Sequence, residues 1–240
     1  MEENRFQHKY FRKYGNPKEI DNRFFVSRGN KFIYCEVPKV AISTIKKTLA
    51  ENITGEKVEY NIHDRERYLL KSPSKEKITQ KEFEEYFKFT FVRNPYTRIL
   101  SAYLDKIKKD TIEKKHLYEY AKIDFKKEIS FGEFLTVLEK IPPMNLNPHF
   151  RPQYLNTCYP LIQYDLIGKF ENFSHDFSYL LNKFFENHNI STVDHHKTDA
   201  TQKDIFDEFY TVKCIKKVQQ IYAQDFLYFN YSFDILNKEK

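Results

Sequence analysis

Residues 31–47 read KFIYCEVPKVAISTIKK. The apolar run Phe32–Val37 has the composition of a buried strand, and Ser43–Glu51 continues it as a helix. Between them the chain passes a proline, a lysine and small or hydroxyl residues. A strand that ends on a cation and feeds a helix N-terminus is the build of a phosphate-binding loop, where main-chain N–H groups, hydroxyls and an ammonium converge on an anion. The Walker pattern G-x-x-x-x-G-K-[ST] occurs nowhere in the chain. The loop is therefore not that of an ordinary ATPase.

The same grammar recurs downstream. Thr79–Phe87 has helical spacing and leads into a second apolar strand, Lys88–Val92, which is followed by RNPYTRILSAYLDKIKK. There Asn94 is placed to cap a helix and Pro95 to open its first turn. Two strand–loop–helix units predict an α/β fold: a central parallel sheet flanked by helices, P-loop-like, with ligands beyond the strand C-termini. The two loops are expected to meet at one site. Further along, Ser130 and Glu133 form a capping-box pattern ahead of FLTVLEK. A proline-rich loop follows (141–153), then a short strand at Asp165–Phe170 and an amphipathic helix over 173–185. The closing helix is expected to carry Val212, Ile215, Val218 and Tyr222 on one face. Residues 1–30, with turn signals at 15–17 and 29–30, read as an N-terminal arm, and 31–240 as one domain.

The chain has 240 residues, a net charge of +6 and 17% aromatic residues without tryptophan. This composition is globular, and the modest basic excess suits an anionic ligand better than a nucleic-acid coat. Cys35, Cys158 and Cys214 are distant from one another and form no C-x-x-C pair, which excludes a zinc framework and points to free thiols. No apolar run approaches the roughly 20 residues of a membrane span, and the first residues lack a signal-peptide core, so a cytoplasmic protein is expected.

Taken alone, Arg93 at the end of a strand and Ser101 two helical turns later suit either an anion site or an ordinary ion pair and helix packing. Glu36 adjoins the first loop as a possible base or as a partner for a lysine. Arg98 reads as a helix-surface or ion-pair residue. His195 and His196 lack the spaced partners of a metal site. The pairs Lys108–Lys109, Lys114–Lys115, Lys126–Lys127 and Lys216–Lys217 read as solvated faces.

Taken together, VPKVAISTIKK and FVRNPYTRILSAYLDK resemble the paired signatures of the carbohydrate sulfotransferases of the HNK-1 and chondroitin 4-sulfotransferase kind, which use the sulfate donor PAPS. The resemblance continues through NIHDRERY, CYPLIQYDLIGKFENF and IYAQDFLYFNYS. It implies that Lys39, with Val40, Ala41, Ile42, Ser43 and Thr44, binds the 5′-phosphosulfate, and that Arg93 and Ser101 bind the 3′-phosphate. The chain departs from the family pattern in several places. Ile42 and Ile45 replace the usual Cys and Trp, Asn94 replaces a common Asp, and Leu161 stands where a second Cys often follows the proline, so no disulfide is expected there.

The implied reaction is transfer of a sulfuryl group from PAPS to a saccharide hydroxyl by a carbohydrate O-sulfotransferase, with no metal. Such a transfer depends on positioning and charge stabilisation, which suits Lys39 at the leaving oxygen. A neutral histidine suits the proton on the acceptor. His63 is favoured as that base, with His149 as acceptor-side support or the alternative. The other classes consistent with the residues are a kinase-like phosphoryl transferase and a non-catalytic protein that holds an anionic glycan or nucleotide. The acceptor expected is a glycan, capsule, lipopolysaccharide or glycolipid. If the chain were a trimmed piece of an anchored protein, the Golgi lumen would replace the cytoplasm.

Overall fold

The structure is a computed structural model that describes residues 16–59, 61–64, 68–186, 190 and 208–234. The elements run α1 (Pro17–Asp21), β1 (Phe24–Ser27), β2 (Phe32–Cys35), α2 (Ile42–Thr54), α3 (Pro73–Glu76), α4 (Gln80–Glu85), β3 (Phe87–Val92), α5 (Pro95–Lys106), α6 (Ile112–Ala121), α7 (Phe131–Glu139), α8 (Gln153–Asn156), β4 (Leu166–Lys169), α9 (Phe173–Phe184), α10 (Val212–Ile221) and α11 (Ala223–Tyr228). They divide into two compact units. One comprises residues 1–92 and 155–195, the other 93–154 and 196–240.

The first unit holds a four-stranded sheet in the order β1-β2-β3-β4. β2 pairs parallel with β3, Tyr34 opposite Phe89, and β3 pairs parallel with β4, Thr90 opposite Ile167. The unbroken apolar runs of β2 and β3 have this cause: a parallel strand is covered on both faces, so neither alternates with polar residues. β1 is antiparallel to β2, Phe25 opposite Tyr34. It lies inside the stretch read as an arm, and α1 precedes it with Asn16 as its side-chain cap. The sheet thus begins before residue 31.

One face packs the rings of Tyr34, Phe89, Phe32 and Phe184, with centroids 5.0 to 5.5 Å apart in successive pairs. Ile45, Leu49 and Ala50 of α2 and Phe177, Leu180 and Leu181 of α9 complete the core. Ile45, in place of the family tryptophan, is fully buried. On β4 a Cβ at Gly168 would stand 2.3 Å from the Phe91 ring, so only glycine lets the strands close. Gly55, at φ 74°, ends α2 in the left-handed region. Lys88 ends α4 from outside it: its ammonium donates to the carbonyls of Phe83, Glu84 and Tyr86 at 2.7–3.0 Å.

The second unit is helical. Asn94 caps α5 by accepting the Tyr96 N–H at 3.0 Å, with Pro95 in the first turn, and the capping box of Ser130 and Glu133 opens α7. Thr111 and Thr211 cap α6 and α10. α10 packs on α7 and α5. Its buried face is Cys214, Val218 and Tyr222, whereas Val212 is 71% exposed and Ile215 lies at the margin. At 3.6 residues per turn Val212 falls about 120° from Val218, which corrects the expected face. The helix also stops at Ile221, and α11 is a separate element.

Arg98 is buried rather than on the surface. It donates to the Pro148 carbonyl at 3.1 Å, and its charge faces Asp225. Lys114 is likewise buried: Asp110 accepts from it at 2.9 Å and the Phe125 ring centre lies 4.7 Å away. A long aliphatic stem laid on rings hides the side chain while the charge keeps a carboxylate. Lys108 and Lys217 pair with Glu128 and Glu139. His195 and His196 lie outside the described residues. No helix is long and apolar enough to cross a membrane among the described residues.

Candidate active site

The connection after β2 is built from two non-glycine residues in the left-handed region, Lys39 at φ 71° and Ala41 at φ 47°, separated by Val40, which is not. Alternating hand tips successive N–H groups to one side, the geometry of an anion nest. α2 then starts with Ala41 as its N-cap, a residue with no side-chain oxygen to offer the first turn, and no acidic residue stands there. The N-cap side chain thus adds no negative charge at the positive end of the helix dipole, the end that favours an anion. Lys39 is half-buried, Val40 and Ala41 are buried, Ile42 and Ser43 half-buried and Thr44 buried.

The structure joins His63 to this loop. Its Nε2 lies 3.0 Å from the Ser43 hydroxyl, and its backbone N–H donates to Asn61 Oδ1 at 3.0 Å. A hydroxyl both donates and accepts, so Ser43 can pair with Nε2 in either tautomer of the ring. Glu36 takes the other of its two expected roles. It is 9% exposed and 3.8 Å from the Lys46 ammonium, which sits 4.2 Å from the centre of the Phe25 ring and 4.3 Å from that of Tyr68. Tyr68 donates to the Lys46 carbonyl at 3.0 Å. Sequence reading passed over Lys46 because its partners lie on three other segments.

In the second unit Arg93 follows β3 directly and is half-buried. Its Nε donates to Thr97 Oγ1 at 2.9 Å. Its main chain is held by Gln153, whose side-chain oxygen accepts the Arg93 N–H at 2.9 Å while its amide donates to the Arg93 carbonyl at 2.8 Å. Ser101 is half-buried on α5. Asp225, fully buried, accepts the N–H groups of Gln153 and Tyr154 at 2.7 and 2.9 Å. Burial pushes its carboxyl up to about 6, against the pull of those two bonds and of Arg98. None of Gln153, Asp225 or Tyr154 was singled out in the sequence, since a glutamine in a proline-rich loop carries no local signal.

His149 lies in the proline-rich loop of the same unit and is half-buried. Its Nδ1 lies 2.9 Å from Asn147 Oδ1 and 3.7 Å from Glu113, which also meets Lys106 at 3.5 Å. Glu113 is held below the usual carboxylate range by hydrogen bonding at the start of α6 and by Lys106 and His149, in spite of burial, which raises it. The three cysteines are buried free thiols, and burial pushes Cys35 up to about 12. Among the described residues no group of three or more His, Cys, Asp or Glu side chains is arranged to hold a metal.

The parallel sheet, the anion-ready loop and the arginine after the next strand fit one class of group-transfer protein, and comparison with known sequences agrees. The sulfotransferase family matches residues 22–232, and the chain belongs to that family. Among its relatives, carbohydrate sulfotransferase 14 of Danio rerio is 32% identical over 182 residues, which cover 69% of this chain and 49% of that protein. Carbohydrate sulfotransferase 11 of Rattus norvegicus is 27% identical over 238 residues, covering 86% and 66%. Carbohydrate sulfotransferase 10 of the same species is 30% identical over 198 residues, covering 72% and 56%. The matches thus span about half to two thirds of these relatives. No solved structure gives a significant match.

Proposed function

We propose that the chain transfers a sulfuryl group from PAPS to a hydroxyl of a saccharide and releases PAP. The observation that carries this reading is the first loop: a left-handed nest at Lys39 and Ala41 leading into the N-terminus of α2, with His63 hydrogen-bonded to Ser43 of that helix's first turn. On this reading the anion site and the proton acceptor share one short stretch of the loop. The acceptor oxygen forms a bond to sulfur as the bond from sulfur to the 5′-phosphate oxygen breaks. Lys39 stabilises the charge that gathers on the departing oxygen, and the acceptor's proton passes to His63 Nε2. Arg93 and Ser101 take the 3′-phosphate, a group that suits the donor fork of a guanidinium. His149, whose Nδ1 lies 2.9 Å from Asn147 Oδ1, supports the acceptor. Acceptor class follows the carbohydrate sulfotransferases among the relatives: a glycan or glycolipid.

The test is incubation with PAPS and a saccharide extract, with sulfated product read by mass spectrometry. Wild type should give a sulfate ester and PAP. His63→Ala should lower turnover by about 100-fold or more and remove the acidic limb of the pH–rate profile. Binding of PAP without any sulfated product would leave a nucleotide-binding protein instead. An acidic limb that persists in His63→Ala would pass the role of base to His149.

A further inference from the structure

The main chain of Arg93 is paired as if a further strand lay beside it, but the partner is a side chain. Gln153, fully buried, both accepts from the Arg93 N–H and donates to its carbonyl, at 2.9 and 2.8 Å. Backbone groups at the end of a strand need partners when buried, and a carboxamide is the one neutral side chain that supplies acceptor and donor in the spacing of a peptide. A hydrophobic residue of the same size would remove both of these bonds. The root of this side chain is itself fixed, because Asp225 accepts the main-chain N–H groups of Gln153 and Tyr154 with its two oxygens. Arg98 faces the same carboxylate, and Tyr154 and Tyr222 lie close enough to feel its charge. On the side-chain end Thr97 holds the Arg93 Nε, and Thr97 in turn donates to the Asn94 carbonyl at 3.1 Å.

We infer that Gln153, anchored by Asp225, is a positioning residue that aims Arg93 at the donor's 3′-phosphate and so sets the enzyme's preference for a nucleotide that carries that group. This rests on the role proposed above for Arg93. A fork of donors recognises a phosphate only in a narrow range of positions, and a long flexible side chain keeps to that range when its root and its Nε are both tied. The arrangement serves selectivity for the 3′-phosphorylated nucleotide over the abundant 5′-phosphates that lack it.

The readout is the ratio of affinities for PAP and for adenosine 5′-phosphate, measured by calorimetry on variants shown to be folded by thermal unfolding. Gln153→Met, close in volume, should weaken PAP by about tenfold and leave adenosine 5′-phosphate unchanged. Gln153→Glu, which keeps the acceptor for the Arg93 N–H and loses the donor, should lie between it and wild type. If the methionine variant does not fold, the glutamate variant decides by the same ratio. Equal losses for both nucleotides mean that Gln153 only supports the fold, and unchanged PAP affinity means that Arg93 needs no such hold; either overturns the inference. Arg93→Ala separates the two readings. Should it keep the PAP preference, the role proposed for Arg93 fails and this inference with it; should it lose the preference while Gln153→Met retains it, this inference alone fails.

Discussion

After β2 the chain turns through Lys39 and Ala41 in the left-handed region and enters α2 with alanine at the N-cap, whereas after β3 it enters α5 through Asn94, which closes the first turn with its own side chain. Neither Arg93 nor Asn94 is left-handed. The first connection carries backbone strain of about 1–3 kcal/mol at each left-handed residue. Its N-cap offers the first turn no side-chain oxygen. The second satisfies its own helix and must find positive charge elsewhere, in the guanidinium of Arg93. On the function proposed above, two loops with the same strand-to-helix plan handle anions by different means, one through the main chain and a lysine, the other through a side chain held from behind.

The contrast is sharpest at Lys39. Lys39→Ala should lower turnover by about 1000-fold while PAP affinity changes by less than tenfold, since the ammonium acts on charge that develops during transfer. Turnover close to wild type at saturating PAPS would erase the chemical role given to the first loop.

The next effect belongs to the support behind Arg93. Asp225 is raised in the folded state from 3.8 to about 6. Its contribution to stability is therefore complete below its unfolded value and is lost as pH rises through about 6. Asp225→Asn does not titrate, so the stability of wild type relative to the variant should fall by about 3 kcal/mol between pH of about 3.5 and 7, by urea unfolding at both. A difference that does not move with pH would show that the carboxylate is not desolvated.

Ala41→Asp places a carboxylate at an N-cap that has no side-chain oxygen of its own. PAP affinity should fall about tenfold, while α2 itself gains from an anion at its positive end. Unchanged affinity would mean that the first loop does not meet the donor's charge. The matching change in the second loop is Asn94→Ala, expected to cost about 1 kcal/mol of stability with PAP affinity within about twofold of wild type. A larger loss of PAP than of stability there would make Asn94 a ligand and blur the distinction between the loops.

Much of the frame was legible in local chemistry. Asn94, Pro95, Ser130 and Glu133 announced helix starts because a cap needs only neighbours three residues away, and the apolar runs of β2 and β3 announced a parallel sheet. Motif resemblance singled out Lys39, His63 and Arg93. What stayed hidden depends on distant partners. Arg98 looks like a surface residue until Asp225 and the Pro148 carbonyl are brought to it, and Gln153 acquires its meaning from Arg93, 60 residues earlier. β1 escaped notice since its four residues follow a charged turn and are too few to show a period. Nor does a period reveal where α10 gives way to α11, because the helical spacing of Cys214, Val218 and Tyr222 runs on to Phe226.

The stretch from Pro38 to Ser43 contains no glycine, although two of its residues hold a conformation that glycine adopts freely. A glycine-rich version would reach the same shape but wander among many others when empty. With β-carbons at Lys39 and Ala41 the wandering is curtailed, so the ordering entropy of the loop is settled while the protein folds rather than when nucleotide arrives. Capture at this loop should therefore resemble a key entering a cut lock: fast, with little rearrangement, and with a heat of binding that reflects new charge contacts rather than the cost of gathering a loose chain.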